Sequence, residues 1–188
     1  MKIAVLLAIA LISVQACAAQ SAQSGQTKWV YNGGKFNWNG DWSFAVDSVD
    51  YRDKEGRAPG GGFDLAMRVH KWGAWQPFVD GDCQNFRRRC FDTTPYKYLM
   101  FSAKSTVPHQ VFQVGFMSPG DKSNGSIIMV TQFCSAGPDP EIGTWQQCKV
   151  PLSSFKLTDA TILKFFIQDQ TGLDNNKWYL DAVGFTAD

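Results

Sequence analysis

The 188-residue sequence predicts an all-β domain, a two-sheet antiparallel β-sandwich of the jelly-roll type. Three observations carry that expectation. Short apolar runs recur at fairly even spacing, with Gly, Pro, Asp and Asn between them. Two runs alternate with period two: Phe63, Leu65, Met67 and Val69 against Asp64, Ala66, Arg68 and His70, and Phe112, Val114 and Phe116 against Gln113 and Gly115. No segment carries a capped stripe of period 3.6. Leu157–Phe166 comes nearest, and its β-branched and aromatic content favours a strand.

In chain order, the first segment stands apart. Met1-Lys2, the apolar run Ile3–Val14 and the small residues Ala16, Ala18 and Ala19 read as an export signal over residues 1–19. A run of twelve residues is too short to span a bilayer. Val14-Gln15-Ala16-Cys17 also loosely matches a lipobox, which would make Cys17 a lipid anchor. Residues 20–27, rich in Ser, Gln and Gly, read as a flexible leader, and 28–188 as one domain without internal repeat. The expected strands are Lys28–Tyr31, Asp41–Val49, Gly62–His70, Ala74–Val79, Tyr96–Lys104, Gln110–Met117, Ser126–Phe133, Thr144–Leu152, Ile162–Gln168 and Lys177–Phe185. Asn32-Gly33-Gly34, Pro59-Gly60-Gly61-Gly62, Asn124-Gly125 and Asp174-Asn175-Asn176 mark turns between them.

Composition narrows the function. Aromatics make up 14% of the chain and charged residues 19%, which excludes a disordered polypeptide. The net charge is +1, and it falls to zero once Lys2 leaves with the signal. A generic nucleic-acid binder needs a basic excess, so none is expected as a partner. The signal also removes one of five cysteines, leaving Cys83, Cys90, Cys134 and Cys148. An even number in an exported chain points to disulfides. Of three pairings, Cys83–Cys90 and Cys134–Cys148 each close a loop between neighbouring elements and are favoured. Zinc is disfavoured: there is no CxxC, and His70 and His109 lie far from the cysteines in sequence.

Candidate ligand residues come from two signals. Seven tryptophans are many for one domain. A ligand with an apolar face and a polar edge needs a flat aromatic beside hydrogen-bonding side chains. Trp38, Trp42, Trp72 and Trp75 are candidates for stacking, whereas Trp29, Trp145 and Trp178 are expected in the core. Gln113, Gln132 and Gln168 interrupt apolar strands and suggest a sheet face that stays wet, with Arg68 and His70 on the same face. Arg87-Arg88-Arg89 would suit an acidic glycan, or form a solvated loop balanced by Asp80, Asp82 and Asp92. Asn124-Gly125-Ser126 is an N-glycosylation sequon.

Several stretches carry a family resemblance. Trp145-Gln146-Gln147-Cys148-Lys149-Val150-Pro151-Leu152-Ser153 and Trp178-Tyr179-Leu180-Asp181-Ala182-Val183-Gly184-Phe185 resemble late strands of β-jelly-roll carbohydrate-binding modules and galactose-binding-like domains. Tyr96-Lys97-Tyr98-Leu99-Met100-Phe101-Ser102 is similar to their central strand. Trp42-Ser43-Phe44 and Trp72-Gly73-Ala74-Trp75 fit the same order. The resemblance spans about Trp29 to Phe185. It implies the jelly-roll fold, sugar binding and a structural calcium to which Asp181 contributes, with Asp47 or Asp50 as further oxygen ligands. Galactose-binding-like domains also bind proteins and lipids or serve as structural units.

Catalysis finds little support. A glycosidase needs two carboxylates flanking one bond. The two glutamates, Glu55 and Glu141, fall in expected loops, and no aspartate pair stands out. Neither histidine sits in a GxSxG or HExxH setting, and no P-loop or dinucleotide fingerprint occurs. The expectation is a secreted, non-catalytic, monomeric domain that recognises a polysaccharide or cell-wall glycan. An exported interaction or structural domain, lipid-anchored to the cell envelope, is the alternative. A polysaccharide lyase or glycosidase ranks third.

Overall fold

The computed structural model describes residues 27–59, 61–137 and 141–188. The export signal, the Cys17 anchor and the leader through Gln26 lie outside the described residues.

The described residues form fifteen strands and four short 3-10 turns. The first five strands are β1 (Thr27–Asn32), β2 (Lys35–Phe36), β3 (Gly40–Asp41), β4 (Phe44–Asp53) and β5 (Asp64–Trp75). Next come β6 (Pro77–Phe78), β7 (Phe91–Asp92), β8 (Tyr98–Lys104), β9 (Phe112–Ser118) and β10 (Lys122–Ser123). The last five are β11 (Ile128–Met129), β12 (Trp145–Pro151), β13 (Thr161–Ile162), β14 (Lys164–Asp169) and β15 (Asn176–Thr186). All pairings are antiparallel. The all-β jelly-roll expectation therefore holds.

Two layers enclose the core, and β5 belongs to both. Its first half lies between β15 and β4, with Arg68 opposite Lys177 and Ser48. Its end lies between β14 and β4, with Ala74 opposite Gln168 and Phe44. One layer thus runs β12-β8-β15-β5-β4, with β1 beside the second half of β15. The other runs from β10 and β11 through β9 and β14 to β6 and the end of β5.

Sequence reasoning divided β5 into Gly62–His70 and Ala74–Val79. The chain instead crosses between layers without a loop, through a bulge. Between Val69 and Ala74 it carries more residues than β4 does between Val46 and Phe44. Gly73 makes the crossing tight, since a Cβ there would lie 2.5 Å from Ala45 O and from Val69 Cβ. The expected strand Ser126–Phe133 also shrinks to β11. Val130 adopts a helical conformation, and a 3-10 turn over Thr131–Phe133 ends the pairing.

Alternation decides which side chains fill the space between layers. Phe112, Val114 and Phe116 of β9, Phe165 and Ile167 of β14, Leu99, Phe101 and Ala103 of β8, and Met67 and Val69 of β5 are all buried. Phe165 meets Phe185 edge-on at 5.7 Å between centroids, and Phe112 meets Trp178 at 5.1 Å, so aromatic pairs join the layers. Burying each such ring contributes roughly 1.5–3 kcal/mol. Both favoured disulfides are formed. Cys134–Cys148 ties the segment after β11 to β12 and so links one layer to the other.

Candidate functional site

The outer face of the β9–β14–β5 layer is built from the residues that alternate with the core. Directly opposed residues of neighbouring strands point to one side. Met129, Gln113, Gln168, Ala74 and Phe44 form one such row across five strands. Gly115 and Phe166 begin a second row, and Met117, Lys164 and Phe78 form a third. Phe44, Trp42, Trp72, Ile127 and Met129 are large apolar side chains that stay exposed. Ile127 lies over Gly115, within reach of the Cβ that glycine lacks.

Trp42 is held from below. Tyr51 donates a hydrogen bond to the Asp41 carboxylate, and Trp75 Nε1 donates to the Tyr51 hydroxyl at 3.2 Å. Burial, with Asp41 as the acceptor beside it, raises the Tyr51 phenol above its ordinary pKa. Asp41 also accepts from Ser43 N at 3.2 Å, and Trp42 N donates to Gln76 O at 2.8 Å. The indole stacks on Phe78 at 4.5 Å, and Lys164 Nζ lies 4.5 Å from its ring centre. Lys164 in turn pairs with Asp121 at 2.8 Å.

Trp72 stands at the rim with φ +62° and nearly half its surface exposed. Gln168 Nε2 donates to its carbonyl oxygen at 2.6 Å, and Gln113 Nε2 donates to Gln168 Oε1. Stacking surfaces and amide hydrogen-bonding groups thus share one open face.

This face corrects several sequence expectations. Trp75 is fully buried and Trp38 packs on Phe91, Phe165 and Phe185, so both are core residues rather than stacking platforms. Arg68 and His70 do not join the glutamines. Arg68 lies on the outer face of the opposite layer, beside a hollow of about 180 Å³ lined also by Ser48, Asp50, Asp53 and Lys177. His70 Nε2 meets Asp47 at 2.8 Å. Gln132 sits in the 3-10 turn after β11 instead of mid-strand. Trp178 is buried as expected, while Trp29 and Trp145 are half-buried. Phe44, Gln76, Phe78 and Lys164 were missed. The alternation of Lys164, Phe166 and Gln168 against Phe165 and Ile167 was the available signal.

The remaining candidates resolve as follows. Asp181 accepts from Gly33 N at 3.0 Å, Asp47 meets His70, and Asp50 accepts from Arg52 N at 2.8 Å. Among the described residues, no group of three or more His, Cys, Asp or Glu side chains gathers as metal ligands. Arg87 pairs with Asp159, and Arg89 with Asp82 and Asp80, as in a charge-balanced loop. Asn124 is buried. Its Oδ1 accepts from Thr158 N and Asp159 N at 3.0 Å each, and its Nδ2 donates to Asp159 O at 2.7 Å. The sequon is therefore closed to modification in the folded domain.

The opposite outer face is charged and largely engaged with itself. Lys177 meets Glu55 at 2.6 Å and Asp53 at 3.5 Å, and Lys104 Nζ donates to Gly56 O at 2.8 Å. Trp145 Nε1 reaches Gly56 O and Arg57 O at 2.9 Å each, which clamps the turn after β4 over Asp64. Burial, and then the nearby Asp53 and Asp181, raise the Asp64 pKa above the ordinary value. Ala58 N–H and Lys104 oppose that shift.

The geometry agrees with known folds. Among solved structures, the chain is similar to a family 29 carbohydrate-binding module from Piromyces equi, with a TM-score of 0.54 and 12% identity over 87% of this chain and 91% of that one. It is also similar to a family 29 module variant complexed with cellulohexaose (TM-score 0.53, 13% identity, 85% and 89% covered). A further variant, complexed with mannohexaose, gives a TM-score of 0.51 at 13% identity over 82% and 86%. These likenesses establish the jelly-roll fold of the carbohydrate-binding modules. No family model matches the chain, and no curated protein matches it.

Proposed function

We propose that this chain is a secreted, non-catalytic carbohydrate-binding protein whose ligand lies across the β9–β14–β5–β4 face. One observation carries the reading: exposed Trp42, Phe44 and Trp72 share that face with the hydrogen-bonded amides of Gln113 and Gln168. Rings supply stacking surface and amides supply hydrogen bonds, which is what a polyhydroxylated ring requires. Structural neighbours complexed with cellulohexaose and mannohexaose support the same class of ligand. The carboxylates nearest the face are already engaged, Asp121 by Lys164 and Asp169 by Thr171 and Asn176, which favours binding over hydrolysis. The expected export signal and the two disulfides support an oxidising, extracellular location.

Affinity electrophoresis through gels containing soluble cellulose derivatives, glucomannan, xylan or polygalacturonate tests the proposal. Retardation by at least one neutral polysaccharide is expected. Unaltered mobility of the folded protein in every gel overturns it.

A further inference from the structure

We infer that Gln168 is the positioning residue for Trp72, and that the amide relay it anchors fixes Gln113 with its carbonyl oxygen toward the bound glycan. The positioning of Trp72 stands on geometry alone. The orientation toward a ligand rests on the function proposed above.

Trp72 needs positioning because a bulky aromatic residue at φ +62° is in an unfavourable backbone conformation. It lies in the bulge where β5 passes between layers. Gln168, across the sheet on β14, supplies a donor to its carbonyl at 2.6 Å. The next residue, Asp169, is fully buried and organises the loop beyond β14. It accepts from Thr171 N at 3.1 Å, Thr171 Oγ1 at 2.7 Å and Asn176 Nδ2 at 2.9 Å. That loop brings Gly172, at φ +68°, against the Trp72 ring. A Cβ there would lie 3.2 Å from the indole, so a larger residue at this left-handed position would press on the ring and make it give. Successive residues of β14 therefore hold the backbone of Trp72 and the loop beneath its ring.

The polarity of the relay follows from one acceptor. A backbone carbonyl only accepts, so Gln168 must turn its nitrogen toward Trp72 and its oxygen toward Gln113. Gln113 must then offer Nε2 to Gln168, and its Oε1 becomes the open end of the relay, next to Met129. A glycan group that meets Gln113 Oε1 has to be a donor, while the second N–H of Gln113 Nε2 can serve an acceptor beside it. A sugar hydroxyl, donor and acceptor at once, suits that pair.

Two variants separate the claims. Gln168→Leu has no donor for Trp72. Gln168→Lys has donors only: it can still hold the Trp72 carbonyl, but it forces Gln113 to turn its oxygen inward and its nitrogen out. The first readout needs no glycan. The Trp72 contribution to near-ultraviolet circular dichroism, defined by subtracting Trp72→Phe, should vanish in Gln168→Leu and survive in Gln168→Lys, with far-ultraviolet spectra unchanged. A retained Trp72 signal in Gln168→Leu, or its loss in both variants, overturns the positioning role. The second readout is exchange of the Gln113 side-chain amide protons by NMR. They should be protected in the parent and at least tenfold less protected in Gln168→Lys; equal protection overturns the polarity. Cellohexaose binding is measured alongside. If the parent binds no glycan while both spectroscopic results hold, the proposed function fails and the relay stands.

Discussion

The two outer faces of the sandwich are made by the same rule and end in opposite states. Each consists of strand residues that alternate with the core. On the β12–β8–β15 face, lysines meet carboxylates and carbonyls of the turn after β4, and Lys104, Lys149 and Lys177 lie over Tyr179 or Tyr98. On the β9–β14 face, large apolar side chains stay exposed and the amide relay ends in an open acceptor. One face satisfies itself and the other leaves apolar and amide groups exposed. Composition alone does not separate them, since both carry aromatics, amines and amides.

The largest expected effect concerns the covalent tie between the layers. Replacing Cys134 and Cys148 together by serine opens a loop of 14 residues and should cost about 3 kcal/mol, read as a lowered denaturant midpoint. A loss below roughly 1 kcal/mol would mean that the aromatic core alone holds the faces in register.

Next comes the contrast itself. Phe44→Ala with Trp72→Ala should weaken glycan binding by about 100-fold, the scale of two interface anchors, with the midpoint nearly unchanged because both rings are exposed. Lys177→Met on the other face should leave binding within twofold. It should cost no more than about 1 kcal/mol, as expected for a partly exposed ion pair with Glu55 and Asp53. Equal binding losses from the two faces would erase the distinction between them.

The smallest effect tests the internally engaged face by pH. The Asp64 pKa is raised in the folded state, so between the ordinary aspartate value and the folded value the folded protein binds the extra proton. Stability at this site is therefore lost as pH rises through that window, and is present below it. Asp64→Asn keeps an acceptor for Ala58 N and removes the charge. Its midpoint relative to the parent should rise from pH 3 to pH 7. A pH-independent difference would contradict the burial of a charge there.

Much of the fold was legible because period-two alternation records burial directly. Gln113 and Gln168 were legible for the same reason, as polar residues within apolar strands. Trp38 and Trp75 were not, because an indole suits a core or a surface equally, and only strand register decides. Trp75 shares the parity of Met67 and Val69 along β5, so it turns inward. Arg68 and His70 were placed on the wrong face because β5 was divided at its bulge. The bulge carries one strand into two layers, and that depends on the close approach of Gly73 to Ala45, a long-range contact absent from any local pattern.

Hydrogen exchange with and without cellohexaose or glucomannan, whichever retards the protein more strongly in the gel, tests the central claim most directly. Saturating ligand should slow exchange in residues 40–44, 72–76, 112–118 and 164–170, and leave 98–104, 145–151 and 177–181 unchanged. Protection confined to the second group would place the ligand on the charged face and contradict the assignment of the amide and aromatic face as the glycan-binding surface.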